Sequence, residues 1–94
     1  MLDRLGGWKK FSEQVEKHIE QYAIPQYQSE GMKEDQVSIW TADDCMTAIK
    51  RYVNRFGKGA RGNKEALRDL LKVAHYAQFA YDKLRQELNE PAVY

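Results

Sequence analysis

The sequence predicts an all-α fold: three main helices plus one short one, the last two forming an antiparallel helical hairpin. Three observations carry that expectation. Apolar residues recur at intervals of three and four in three separate stretches, as on one face of an amphipathic helix. Two prolines and six glycines in 94 residues leave room for long helices. The one alternating pair, Val37 and Ile39, sits in a short run with no partner strand. The length sets a single domain over residues 1–94, with residues 1–7 and 89–94 expected as flexible ends.

In the first helix Trp8, Phe11, Val15, Ile19 and Tyr22 form the apolar stripe, and Glu13, Glu16, Lys17 and Glu20 lie off it. Gly6-Gly7 is expected to separate a short leading segment from this helix. Pro25 is expected to end it, because it has no N–H and biases its predecessor away from helical geometry. Residues 25–33 read as a connection, with Pro25, Ser29 and Gly31 as turn formers. Lys33 to Trp40 reads as the short helix.

Thr41 is placed to cap the next helix, with Asp43 and Asp44 in the first turn, where the helix dipole favours acids. Cys45, Ala48, Ile49, Tyr52, Val53 and Phe56 make its stripe, and Gly57 suits the residue past its end. Asn63 is expected to cap the last helix, which the Asn89-Glu90 pair and Pro91 end near residue 88. Leu67, Leu70, Leu71, Ala74, Ala77, Tyr81, Leu84 and Leu88 mark its expected buried face, with Tyr76 and Phe79 on the flank of that stripe. At 1.5 Å per residue this helix is on the order of 35–40 Å long. It outruns a small core, so its far end is expected to pack on another subunit.

Net charge is +1, but the charges are unevenly spread. Residues 1–49 carry five basic and nine acidic side chains, and residues 65–94 four and five. Between them Lys50, Arg51, Arg55, Lys58, Arg61 and Lys64 have no acid among them. This basic segment runs through a glycine-rich loop into a helix N-terminus, where free N–H groups and the dipole favour an anion. It is the candidate phosphate-binding site. A solvated surface hairpin is the competing reading, and Asp69 is the favoured partner for Arg55. The loop is not a P-loop: Asn63-Lys64 replaces the required Lys-Ser/Thr pair and no strand precedes it.

Other constellations are weaker. Glu13, Glu16 and Glu20 with Glu65 and Asp69 make the one candidate Mg²⁺ cluster, of the kind helical nucleotide pyrophosphohydrolases use. A solvated face is favoured over it, and no obligatory cofactor is expected. His18 and His75 are read as hydrogen-bonded boundary residues before acid–base groups. Tyr52, Phe56, Tyr76, Phe79 and Tyr81 can stack on bases, but most fall at core spacing. Cys45, the lone cysteine, excludes an internal disulfide and is read as a small buried hydrophobe. Cysteine usage, the lack of a secretory pattern and the lack of a long apolar run lead to the expectation of a cytoplasmic protein without membrane association.

Ala48-Ile49-Lys50-Arg51-Tyr52, then Arg55 and Gly57-Lys58, then Asp69-Leu70-Leu71-Lys72 and His75-Tyr76 resemble a small helical domain family common in bacteriophages. That family is of unknown function and is sometimes labelled a nucleotide kinase. Gln26-Tyr27-Gln28-Ser29-Glu30-Gly31 is similar to its opening motif, with Gln26 where the family has histidine. The resemblance spans roughly residues 26–84. It implies a phage or prophage origin and a role in nucleotide metabolism, and points to Tyr27, Lys50, Arg55, Lys58, Asp69 and Lys72.

The expectation is therefore a protein that binds a nucleotide or other phosphorylated ligand through Lys50, Arg51, Arg55, Lys58, Arg61 and Lys64. The alternative is a non-enzymatic, dimeric interaction module contacting a protein or nucleic acid. A carboxylate-dependent hydrolase comes third, and no reaction is fixed.

Overall fold

The structure, a computed structural model, describes residues 2–26, 37–58 and 62–94. Three long helices make up most of it: α1 (Arg4–His18), α2 (Ala42–Arg55) and α3 (Asn63–Leu88). Among the described residues there is no strand. Most of the 25–33 connection, the first half of the expected short helix, Tyr27 and Arg61 lie outside the described residues.

α1 begins earlier than the glycine pair suggests. Asp3 takes the N-cap position, and its carboxylate accepts from the Gly6 N–H at 3.0 Å. Gly6 and Gly7 therefore sit inside the first turn. A Cβ on Gly6 would collide with the capping carboxylate, whereas one on Gly7 would meet nothing within 4 Å. The first glycine serves the cap; the second is a helix-interior glycine without a packing role.

Pro25 does not end the helix where expected. A π-helical turn, Ile19–Ala23, follows α1, and helical conformation continues through Gln26. In a regular α-helix Pro25 would leave the Gln21 carbonyl without a donor and press its ring against it. The wider turn just ahead, closed by Ile24 N–H to the Ile19 carbonyl, absorbs that conflict. It also turns Ala23 into the interior and stacks His18 on Tyr22, ring centres 5.3 Å apart.

Residues 37–39 form one helical turn, the described part of the expected short helix. Val37 is buried, Lys83 Nζ donates to the Ser38 carbonyl at 3.3 Å, and Trp40 stacks on Tyr76. Thr41 then caps α2 as expected, and the cap is reciprocal. Thr41 Oγ1 accepts from the Asp44 N–H at 3.1 Å, and the Asp44 carboxylate accepts from the Thr41 N–H at 2.9 Å. Gly57, at φ +76°, follows Phe56 as the helix ends.

α2 and α3 form the expected antiparallel hairpin. The Ala42 N–H at the start of α2 donates to Glu87 near the end of α3 at 3.2 Å, while Arg55 at the end of α2 pairs with Asp69 near the start of α3. Asn63 is the first residue of α3 and not its cap. Gly62 holds the N-cap position at φ +88°, a left-handed value that suits glycine, and supplies no side-chain acceptor. At the other end Asn89 adopts φ 52°, and the Glu90 N–H reaches the Arg85 carbonyl at 2.9 Å.

The buried face of α3 is the reverse of the expected one. Asp69, His75, Tyr76 and Ala80 are buried, with Lys72 and Phe79 half-buried beside them. Of the leucine stripe, Leu67 and Leu88 are 62% and 60% exposed, and Leu70, Ala77, Tyr81 and Leu84 also face solvent. Only Leu71 and Ala74 are partly covered. The reason is chemical. Polar side chains on the inward face find partners on the other helices, and the Tyr76 ring is enclosed there between Trp40 and Tyr52. Val53 and Phe56 of α2 and Trp8 of α1, expected in the core, are also more than half exposed.

Candidate functional site

Two groups of charged residues meet the description of a site. One lies between the helices; the other is the solvent face near the tip of the hairpin.

The inner group is set by helical spacing. Glu65, Asp69 and Lys72 fall on one stripe of α3, and Tyr52 and Arg55 sit one turn apart on α2. Arg55 Nε donates to Asp69 Oδ2 at 3.0 Å and Nη2 to Asp69 Oδ1, a two-pronged pair. Lys72 Nζ lies 3.4 Å from Glu65 Oε1 and 3.7 Å from Asp69 Oδ1, and Arg68 lies 3.7 Å from the other Glu65 oxygen. The cations also cover rings. Arg55 sits 5.2 Å and Lys72 5.5 Å from the centre of Tyr52, while Lys72 and Arg68 lie 5.6 and 5.8 Å from that of Tyr22.

This network shifts its members. The bonds from Arg55 hold the Asp69 carboxyl below the usual range against the opposing effect of burial, and Asp69 in turn raises Arg55. His18 is pushed down by burial, then by Lys72 and Arg68, with Glu65 partly opposing. His75 is pushed down by burial and then by His18. Both imidazoles are thus harder to protonate than a free one, His18 in part because two cations lie beside it. They line a small polar pocket of about 90 Å³ together with Tyr22, Tyr52 and Lys72. That is room for a few waters, each of about 30 Å³. Burial likewise raises the Cys45 thiol, which is fully enclosed and suits the hydrophobe reading.

The outer group contains most of the sequence-selected cations. Lys50 and Arg51 are exposed on α2, Lys58 in the turn after it, and Lys64 in the first turn of α3. Arg51 lies 6.0 Å from the Tyr52 ring centre. None of the four has a carboxylate within ion-pair distance among the described residues. Arg55, grouped with them in the sequence, belongs to the inner network instead, as its expected pairing with Asp69 requires.

Of the positions marked by the phage-family resemblance, Arg55, Asp69 and Lys72 come together, while Lys50 and Lys58 lie on the solvent face. Among the described residues no group of three or more His, Cys, Asp or Glu is placed to hold a metal ion. Glu65 and Asp69 are occupied by cations, and Glu13, Glu16 and Glu20 are exposed. Sequence reasoning missed the approach of His18 to His75 and the Tyr22–Lys72–Tyr52 stack. The 65/69/72 charge spacing signals the second; nothing in the sequence signals the first.

No family model, curated protein or solved structure matches the chain. No helix among the described residues is long and apolar enough to cross a membrane.

Proposed function

We propose that this chain is a binding protein for a phosphorylated ligand, a nucleotide in the first instance, received at the basic end of the α2–α3 hairpin. One observation carries the reading: Lys50, Arg51, Lys58 and Lys64 are exposed and unpaired among the described residues, while the acids nearest them already have partners. Charge that is not neutralised internally is available to a ligand. The first turn of α3 adds to it, because Gly62 leaves the leading N–H groups without a side-chain cap. Arg61, directly ahead of Gly62, belongs to the same proposal by sequence.

Arg55 drops out as a ligand contact and becomes the anchor that fixes the hairpin tip. The inner pocket is a structural network in this reading, not a second ligand site. The phage-family resemblance supports a role in nucleotide metabolism in a phage or prophage setting, and the lone cysteine is in keeping with the cytosol as its place. No reaction is assigned.

The test is equilibrium titration of the full chain with inorganic phosphate, a mononucleoside triphosphate and a short single-stranded oligonucleotide. Each is run at low and high salt. The expected result is saturable triphosphate binding that weakens at least about tenfold in Lys58→Ala/Lys64→Ala, since each charge-assisted contact is worth about 1.5–3 kcal/mol. Tighter oligonucleotide binding with a steep salt dependence would make nucleic acid the partner. No binding of any phosphate-bearing probe would overturn the proposal.

A further inference from the structure

The solvent side of α3 is its apolar side. Leu67, Leu70 and Ala74, then Ala77, then Tyr81, Leu84 and Leu88 recur at alternating steps of three and four over the whole helix. That is a heptad seam sustained for three repeats, with Leu67, Ala74, Tyr81 and Leu88 at a and the others at d. Every charged residue from Glu65 to Lys83 falls at b, c or f, turned toward α1 and α2 or their edges. From Ala66 to Tyr81 no a, d, e or g position carries a charge. A surface helix ordinarily has the opposite arrangement, with its apolar stripe facing its own core.

We infer that two copies of this chain pair through this seam, their α3 helices antiparallel about a two-fold axis at the level of residue 79. The inference is independent of the phosphate reading. It follows from the order of side-chain sizes along the seam. An antiparallel seam layers a on d of the other copy, and in the register centred at residue 79 each Leu70 meets the other copy's Leu88. Ala74 meets Leu84 and Ala77 meets Tyr81, a small residue against a large one in each layer. Such alternation lets the layers interdigitate. A parallel pairing would instead set Ala74 on Ala74 and Ala77 on Ala77, next to Tyr81 on Tyr81. That leaves a gap beside a bulge.

The face is also large enough. From Leu67 to Leu88 it runs about 32 Å at 1.5 Å per residue. Met46, Val53 and Phe56, all exposed, widen it on the flank of α2 away from α1. Tyr52 and Arg55 mark the α1 side of that helix, and the apolar trio lies around the helix from them. Two helices side by side make a patch about 20 Å across, roughly 600 Å² per copy. This approaches the approximately 800 Å² per partner of a standard stable interface and is at the upper limit for a monomer's largest apolar patch. The product is a four-helix arrangement of two hairpins, a common solution for such pairs. The C-terminal segment runs beside the far end of the seam, with Val93 N–H donating to Tyr81 Oη at 3.2 Å, and leaves Leu84 and Leu88 still about half exposed.

Sedimentation equilibrium of the full chain tests the pairing, with circular dichroism confirming helix content in every variant. The wild type is expected to sediment at twice its 11.0 kDa monomer mass at micromolar concentration. Leu70→Glu and Leu88→Lys each change an exposed residue and are expected to raise the dimer dissociation constant at least about a hundredfold. The double variant places each new acid opposite a new base of the other copy only in the antiparallel register, and is expected to recover much of the loss. A wild type that stays monomeric to about 100 µM, well above the micromolar range expected of a stable pair, would overturn the inference. So would a dimer indifferent to both single changes, or a double variant weaker than either.

Discussion

Arg55→Ala should be among the more costly substitutions at a partly exposed position in this protein. The cost is set by what it leaves behind. Asp69 is only 3% exposed, and without the guanidinium its remaining cation among the described residues is Lys72 at 3.7 Å. Removing one partner of a fully buried pair costs about 3–5 kcal/mol. The Arg55 side chain is 40% exposed, so water screens the pair and part of that figure must be discounted. About 2 kcal/mol is expected, which for a domain of this size lowers Tm by roughly 10 °C. Asp69→Asn should cost less, about 1 kcal/mol, because the half-exposed guanidinium left behind can hydrate. The double variant should then be more stable than Arg55→Ala alone, since no buried charge is stranded. Urea unfolding followed by far-ultraviolet circular dichroism, at one fixed protein concentration, gives all three values. The pH dependence supplies a second readout. Asp69 has its pKa lowered on folding. Its contribution is therefore complete above the unfolded aspartate pKa of about 3.9 and is lost as pH falls through the lower folded value. Arg55→Ala should remove that acid limb. The reasoning fails if Arg55→Ala costs no more than Asp69→Asn, or if the two losses simply add.

Three further outcomes are expected. Gly7→Ala should stabilise by about 0.5–1 kcal/mol in thermal unfolding, since it sits inside α1 with open space at its Cβ, whereas Gly6→Ala should destabilise by displacing the Asp3 cap. Thr41→Ala should cost about 1 kcal/mol and expose the first turn of α2 to faster amide exchange, because it removes the hydroxyl that accepts from the Asp44 N–H. Stability should also decline as pH drops below about 6.5, the unfolded histidine value, because His18 and His75 are both held lower when folded and resist protonation there. His75→Gln should flatten that decline in urea titrations across pH 5 to 7, an interval chosen around the ordinary histidine pKa.

The sequence carries the helices more clearly than it carries their orientation. Thr41 with Asp44, Gly57 and Asn89 mark their boundaries by local chemistry, and local chemistry is legible in a single chain. Gly6 and Pro25 misled for a related reason. Each reads as a breaker, yet one makes room for a capping carboxylate and the other is accommodated by a π turn. The buried face of α3 was illegible because the helix has two apolar faces. Leucine content favours the outer one, whereas Tyr76, Phe79 and Ala80 occupy the inner one among polar residues. Asp69, Lys72 and His75 read as surface positions until Arg55, Glu65 and His18 are seen to satisfy or surround them. At the candidate site the basic segment was legible as a run of charge. Which of its cations are available was not, since that depends on Asp69 reaching Arg55 and on no acid among the described residues reaching Lys58 or Lys64.

The central claim, a phosphate-receiving surface at the hairpin tip, is tested most directly by amide chemical-shift mapping of the labelled chain during addition of a mononucleoside triphosphate. The account predicts saturable shifts concentrated at Lys58 and over Gly62 to Glu65, with little change at His18, Lys72 or His75. Shifts centred on that inner pocket, or none at any ligand concentration, would contradict it.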